Sequence, residues 1–230
     1  MRPVGIQPEG TVVVTYFSHE FPAAAPAFSE GLNRVSKTMN VDTTYTIQAG
    51  QTITLDKKGL YLLQSDTSQR RGLAFRVEDD YPKFAKLETL VEPLQYICTP
   101  QEYEKLKAGR GDKKVFDKTV LSVTGNADRA RDFMRSYFQH VEWGNYYFSS
   151  YKQGWMTDRG MAYILFGIPN QVYKFGDREV WSYKTNYYTL ELTFVRSGSL
   201  FDPDNFVLVR DNKYQQTWYE VVNLWRKARF

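Results

Sequence analysis

The chain has 230 residues, 42% hydrophobic and 24% charged, the balance of a folded protein of one large or two ordinary domains. Its 30 basic and 26 acidic side chains are spread along the sequence and leave a net charge of +4 with no concentrated basic stripe, which argues against a nucleic-acid or anionic-membrane surface. Aromatics reach 16%, favouring strands and broad packed faces over an Ala/Leu bundle, and the single Cys98 excludes an internal disulfide and any multi-cysteine metal site.

Residues 1–82 read as β structure. "TVVVTYF" (11–17) is a β-branched and aromatic run, and its abrupt start points to a piece of a longer protein; "MRPVGIQPEG" before it has no apolar signal core. "TTYTI", "TITL", "LYLLQ" and "LAFRV" follow as short strands, with "TITL-DKKG-LYLLQ" expected to form a hairpin through Asp56 and Gly59. Strands at this spacing suggest a small sandwich. The irregular connection from Ser18 to Asn40 is expected to be packed by Phe21 and Phe28.

From residue 83 the period changes. "KFAKLETLVEPLQYI" has helical spacing that Pro93 should end or kink near Glu92. "TPQEYEKLKAG" carries the strongest local signal: Thr99 as N-cap, Pro100 at the first helical position, Glu102 closing a capping box and Gly109 at the stop. "GRGDKK" reads as the polar loop after it. A longer helix, capped by Asn126, places Phe133, Tyr137, Val141, Gly144 and Phe148 on one face, with Gly144 permitting a close crossing. "QVYKF", "EVWSYK", "YTLELTFV" and "NFVLVR" alternate as four strands. The chain closes on an amphipathic helix with Tyr214, Trp218, Val221, Val222 and Trp225 in its stripe and Arg226, Lys227 and Arg229 at its C-terminal end. No apolar run approaches the ~20 residues of a membrane-spanning helix.

Candidate chemistry is sparse. Cys98 sits in "LQYICTPQE", the setting of a buried structural thiol. His140 adjoins the apolar face of the long helix as a core-edge histidine, and His19 lies in a loop. No Gly-x-Ser-x-Gly, His-Glu-x-x-His, Walker or Gly-x-Gly-x-x-Gly motif occurs. The acids of "EDD" (78–80) and "DPDN" (202–205) lack the calcium-loop pattern and read as solvated turns. No catalytic residue, metal ligand or cofactor is assigned. Aromatic clusters in "GNYYFSSYKQGW" and "TNYY" would permit a glycan or peptidoglycan platform.

The stretch "GWMTDRG", preceded by "NYYFSSYKQ" and followed by "YILFGIPNQV" and "EVWSY", resembles the GWxTD domain, a family of bacterial envelope proteins found largely in Bacteroidetes and Acidobacteria. The resemblance spans roughly residues 90 to 230 and maps onto Gly154, Trp155, Thr157, Asp158, Arg159 and Gly160, then Gly167 and Pro169, then Trp181 and Tyr183; His140 stands where an Arg is expected. It implies a secreted or outer-membrane-associated protein and no established activity. The order helix, Gly-x-Pro, strand, Trp-x-Tyr strand is also similar to the SmpA/OmlA lipoprotein module of the barrel-assembly machinery, a protein–protein scaffold.

On physical grounds each signature residue has a folding task. Thr157 or Asp158 can cap a short helix, Gly167 can stop it in a left-handed conformation, Pro169 can start the next strand, and Trp155 can plug the sheet while Asp158 and Arg159 satisfy backbone or each other. The expectation is an α+β protein: a small antiparallel sandwich-like β domain over 1–82, then an α+β domain over 83–230 with helices on an antiparallel sheet. The expected function is a non-enzymatic envelope scaffold that binds another envelope or outer-membrane protein, and touches the membrane only indirectly or through an anchor outside this chain. The candidate binding residues are Trp155, Thr157, Asp158, Arg159, Trp181 and Tyr183. A glycan binder and a hydrolase using Asp158 are the alternatives.

Overall fold

β1 (Thr11–Phe17) alternates its side chains between two buried faces, and this places it inside a sheet. The computed structural model describes residues 10–29, 39–69 and 71–230. In it, β1 pairs antiparallel with β2 (Thr43–Gln48) and with β3 (Gly59–Gln64), and β3 pairs antiparallel with β4 (Leu73–Val77). The order is β2-β1-β3-β4.

Val12, Val14, Tyr16, Tyr61 and Leu63 fill one face, where Ala49 and Leu55 from the following loop also pack. Phe17, Leu60 and Leu62 fill the other, against Phe21, Tyr151, Leu200 and Phe201. β3 is thus buried on both faces, which is why "GLYLLQ" is a nearly continuous apolar run. The small antiparallel β unit is therefore built as one sheet with both faces covered.

One element differs from expectation. "TITL" (52–55) is not a strand, and the hairpin with "LYLLQ" does not form. Both edges of β3 are already taken, by β1 and β4, so Leu55 serves as a lid over the face and not as a ladder partner. Of the connection from Ser18 to Asn40, residues 30–38 lie outside the described ones. In the described part Phe21 packs edge-on against Tyr151 at 4.7 Å, and Phe28 against Trp218 at 5.9 Å.

The second unit opens with α1 (Leu87–Leu90) and breaks at Pro93 into a 3-10 turn over Glu92–Tyr96, the expected kink. α2 (Pro100–Ala108) carries the full capping box: the Thr99 hydroxyl accepts from the Glu102 N–H at 3.3 Å, and the Thr99 N–H donates to the Glu102 carboxylate at 2.8 Å. α3 (Lys113–Thr124) begins inside the stretch expected to be loop. Asp112 of "GRGDKK" is its N-cap, accepting from the N–H of Lys114 at 2.8 Å. α4 (Ala127–Phe148) starts at the Asn126 cap and buries Phe133, Tyr137, Val141, Gly144 and Asn145.

α5 (Asp158–Phe166) is buried along nearly its whole length. β5 (Gln171–Phe175), β6 (Arg178–Lys184), β7 (Thr189–Arg196) and β8 (Phe206–Leu208) form a second antiparallel sheet in sequence order, and α6 (Gln215–Arg226) ends the fold. Trp181, Tyr183, Leu190, Leu192, Phe194, Phe206 and Leu208 point to one side of this sheet and form one core with the helices. The architecture is α+β, as the period switch predicts. Arg226 closes it, forking onto the Glu102 carboxylate at 2.8 and 2.9 Å and so tying α6 to the start of α2.

Candidate functional site

The signature segment is a close crossing of three backbones. A methyl group on Gly154 would lie 2.1 Å from the Gly144 carbonyl oxygen of α4, and one on Gly160 would lie 1.8 Å from the Gly154 oxygen. No side chain of any size fits at either position, so the closest approaches of α4, the 3-10 turn at Gly154–Met156 and α5 are made at glycines. Gly144 completes the stack against Ile164 of α5.

Asn145, one residue further along α4, is fully buried and holds the turn from beneath. Its side-chain oxygen accepts from the Trp155 N–H at 3.0 Å, its amide donates to the Pro82 carbonyl at 2.9 Å, and its own carbonyl accepts the Tyr81 hydroxyl at 2.7 Å. Trp155 is 2% exposed. Its ring N–H donates to Gln153 at 2.6 Å and its carbonyl accepts the Tyr96 hydroxyl at 3.1 Å.

Of the two candidate caps for α5, Thr157 is the one used. Its hydroxyl accepts from the Gly160 N–H at 3.0 Å and donates back to the Gly154 carbonyl at 2.7 Å. Asp158, freed from capping, turns to β8. One carboxylate oxygen accepts the Leu208 N–H at 2.8 Å, and the other accepts from Arg210 at 2.7 Å. Arg210 also donates to the Ala25 carbonyl at 3.1 Å, so the ion pair links α5, β8 and the first irregular connection.

The expected partnership of Asp158 with Arg159 does not form. Arg159 lies over the Phe206 ring at 4.9 Å, donates to the Asp204 carbonyl at 3.2 Å and faces the buried Glu179 carboxylate at 3.7 Å. Glu179 in turn accepts the Trp181 ring N–H at 3.3 Å. At the far end of α5, Gly167 has φ 75° and ψ −154°, a conformation more restrictive than the left-handed one expected and open essentially to glycine only. Its carbonyl accepts the buried Tyr183 hydroxyl at 3.4 Å, and Pro169 follows two residues before β5.

Trp155, Thr157, Asp158, Trp181 and Tyr183 are therefore all buried, and Arg159 is half-buried. They run along α5 from start to stop and do not converge on a cleft. Arg210 and Asn145 are the residues that sequence reasoning missed. Their signals were a lone cation ending the apolar "NFVLV" and a lone amide at helical spacing from Val141.

The other candidates are held separately. His140 is packed by Trp143, Tyr163, Trp225 and Phe230, bonds the Ser136 carbonyl at 3.1 Å through Nδ1, and burial lowers its pKa. Burial pushes the Cys98 thiol up to about 12, as befits a structural cysteine. Asp80 receives the N–H groups of Ala85 and Lys86, both at 2.9 Å, while Glu78 pairs with Lys58 at 3.1 Å and with Arg76. Asp202 accepts the Asp204 N–H at 3.0 Å in a turn. Lys152, just ahead of the signature, reaches the Pro22 carbonyl at 3.1 Å, and burial pushes its amine down to about 8.

Comparison with known families places this geometry. The profile described as GWxTD domain matches residues 59–227, well over half of the chain. The chain belongs to the GWxTD domain family. No curated protein and no solved structure matches it. The GWxTD match begins earlier than the roughly residue 90 expected, at the first residue of β3, so β3 and β4 lie within it together with α1 to α6 and the second sheet. In GWxTD terms, Gly is the crossing, Trp the plug over Tyr96, Thr the helix cap and Asp the ligand of β8.

Several large apolar side chains, many of them aromatic, remain exposed. Trp143, Tyr146 and Tyr147 sit on the outer side of α4, with Tyr146 75% exposed, and Ile168, Val172, Tyr173 and Phe175 project around β5. No helix among the described residues is long and apolar enough to cross a membrane.

Proposed function

We propose that this GWxTD protein is a non-enzymatic interaction module of the cell envelope, acting at or near the outer membrane by binding another envelope protein. The observation that carries the interaction reading is the division of labour among its polar and aromatic groups. Both Asp158 oxygens are engaged by Leu208 and Arg210, leaving neither placed against a nucleophile or an open cleft, whereas large aromatic side chains stand in solvent on α4 and β5. The envelope assignment rests on the family resemblance.

The test is cross-linking of the full-length protein in its native cells, with fractionation of the membranes. A discrete partner captured in the envelope fraction, and lost when exposed aromatics are replaced at unchanged melting temperature, is the expected result. A soluble cytosolic distribution, or a hydrolytic activity lost in a correctly folded Asp158→Asn protein, would sink the reading.

The strip Trp143, Tyr146 and Tyr147, three and four residues apart on α4, supports a second reading as a glycan platform. Sedimentation with purified peptidoglycan, abolished by Tyr146→Ala, would favour it.

A further inference from the structure

The second sheet treats its two edges in opposite ways. On the β8 side, the Val209 N–H donates to the Thr193 carbonyl and the Ser197 N–H to the Asn205 carbonyl, both at 2.8 Å, while the Leu208 N–H between them points away from the sheet and is taken by Asp158. On the β5 side, every residue from Gln171 to Phe175 is exposed, and among the described residues no chain segment pairs with the outer edge. An edge of this kind presents a row of main-chain donors and acceptors ready to take another strand.

The side chains of β5 state what such a strand should carry. On the face away from the helices, Tyr173 and Phe175 stack with centroids 6.4 Å apart, Tyr173 lying beside Val180 in the register. On the face toward the helices, Val172 lies beside Trp181 and Lys174 beside Glu179. The Glu179 carboxylate is shared by Lys174 at 3.6 Å and Arg159 at 3.7 Å, so two cations meet one acid there. Arg178 and Lys184, at the two ends of β6, are exposed on the face away from the helices, with Tyr173 and Phe175, against exposed Asp177 in the turn.

We infer that β5 is a docking edge for an extended acidic segment of a partner protein. The segment adds a fifth strand, setting apolar residues against Tyr173 and Phe175 and a carboxylate beside Lys174. The inference rests on the interaction-module reading and names the surface and the partner's chemistry. A second copy fits less well: antiparallel pairing of two β5 strands about Tyr173 sets each Lys174 opposite Val172 and supplies no carboxylate. A lysine in the middle of an edge also discourages pairing with a like strand.

The experiment uses the full chain, isotopically labelled, with two synthetic ten-residue peptides, one alternating valine with glutamate and one alternating valine with lysine. The Val/Glu peptide is expected to slow amide exchange in β5 about tenfold or more and to bind at least about tenfold tighter than Val/Lys. Lys174→Gln removes the preference, and Lys174→Glu, which sets a second carboxylate beside Glu179 and is used only where its circular dichroism and melting curve show a folded protein, reverses it. The inference is overturned if β5 amides ignore the acidic peptide, if both peptides act equally, if protection appears on concentrating the protein alone, or if it already exists in the dilute free chain. A photo-cross-linker at Tyr173 and another at Tyr146, used in native cells, separate the two levels. Envelope cross-links from Tyr146 alone leave the interaction module standing and remove the β5 edge, whereas none from either removes both.

Discussion

The signature turn and the β5 edge lie at opposite ends of one short stretch of chain, and they spend their polar groups differently. In the turn, Asn145, Thr157 and Asp158 each engage two or more partners, and glycines bring backbones into contact where no side chain would fit. At β5, only a few residues after Gly167, five consecutive side chains face solvent and the backbone has one open edge. The difference shows that the family's most distinctive residues build the body of the domain, while the solvent-facing side chains of β5 lie outside the residues of that signature.

The contrast can be broken most easily at Gly154. Gly154→Ala forces the backbone apart against the Gly144 carbonyl at 2.1 Å, and should cost about 4 kcal/mol or more, seen as insoluble protein or a collapsed urea midpoint. A well-folded Gly154→Ala protein would show that the crossing is loose after all. Asp158→Asn comes next: it leaves Arg210 facing a neutral amide in a largely buried site and should cost about 2–3 kcal/mol by chemical denaturation. Adding Arg210→Met should cost less than its single effect, because the two share one interaction.

Lys152 sharpens the same side of the comparison through pH. Its folded pKa is lowered to about 8 from the ordinary 10.5, chiefly by burial and further by the neighbouring Arg210, so the unfolded chain holds the proton more tightly. The contribution of Lys152 to stability therefore rises as pH increases from about 8 toward 10.5, while the raised Cys98 thiol acts in the opposite sense, so it is read as the difference between the native protein and Lys152→Met across that window, smaller than the Asp158 change. The smallest effect belongs to the open edge. Tyr173→Ser should alter stability by no more than about 0.5 kcal/mol in the same denaturation assay, since the residue is 45% exposed. A clear loss there would mean that β5 is part of the core.

How much of this was legible depends on the range of each interaction. The α2 box was readable because Thr99 and Glu102 satisfy each other within one turn, and the strands of the second sheet because their alternation is local. α3 was missed because its only start signal, Asp112, sits in a charged, glycine-rich run that also spells a loop. "TITL" misled because its composition suits a strand, while the decision rested on β1 and β4 already occupying β3. At the site, cap, plug and stop could be anticipated from Thr157, Trp155 and Gly167. The partner of Asp158 could not, since Arg210 is 52 residues away and only the packing of β8 on α5 brings it near.

Asn145 also joins the first sheet to the second unit. The last residues leaving the first sheet, Tyr81 and Pro82, grip its carbonyl and its amide, and its remaining oxygen grips Trp155. The strand end of the first sheet is thus tied directly to the last turn of α4 and, through it, to the signature turn. With the bonds of Arg210 to Ala25 and of Lys152 to Pro22, this joint fastens the first sheet to the second unit at several points, so the two are welded and not strung.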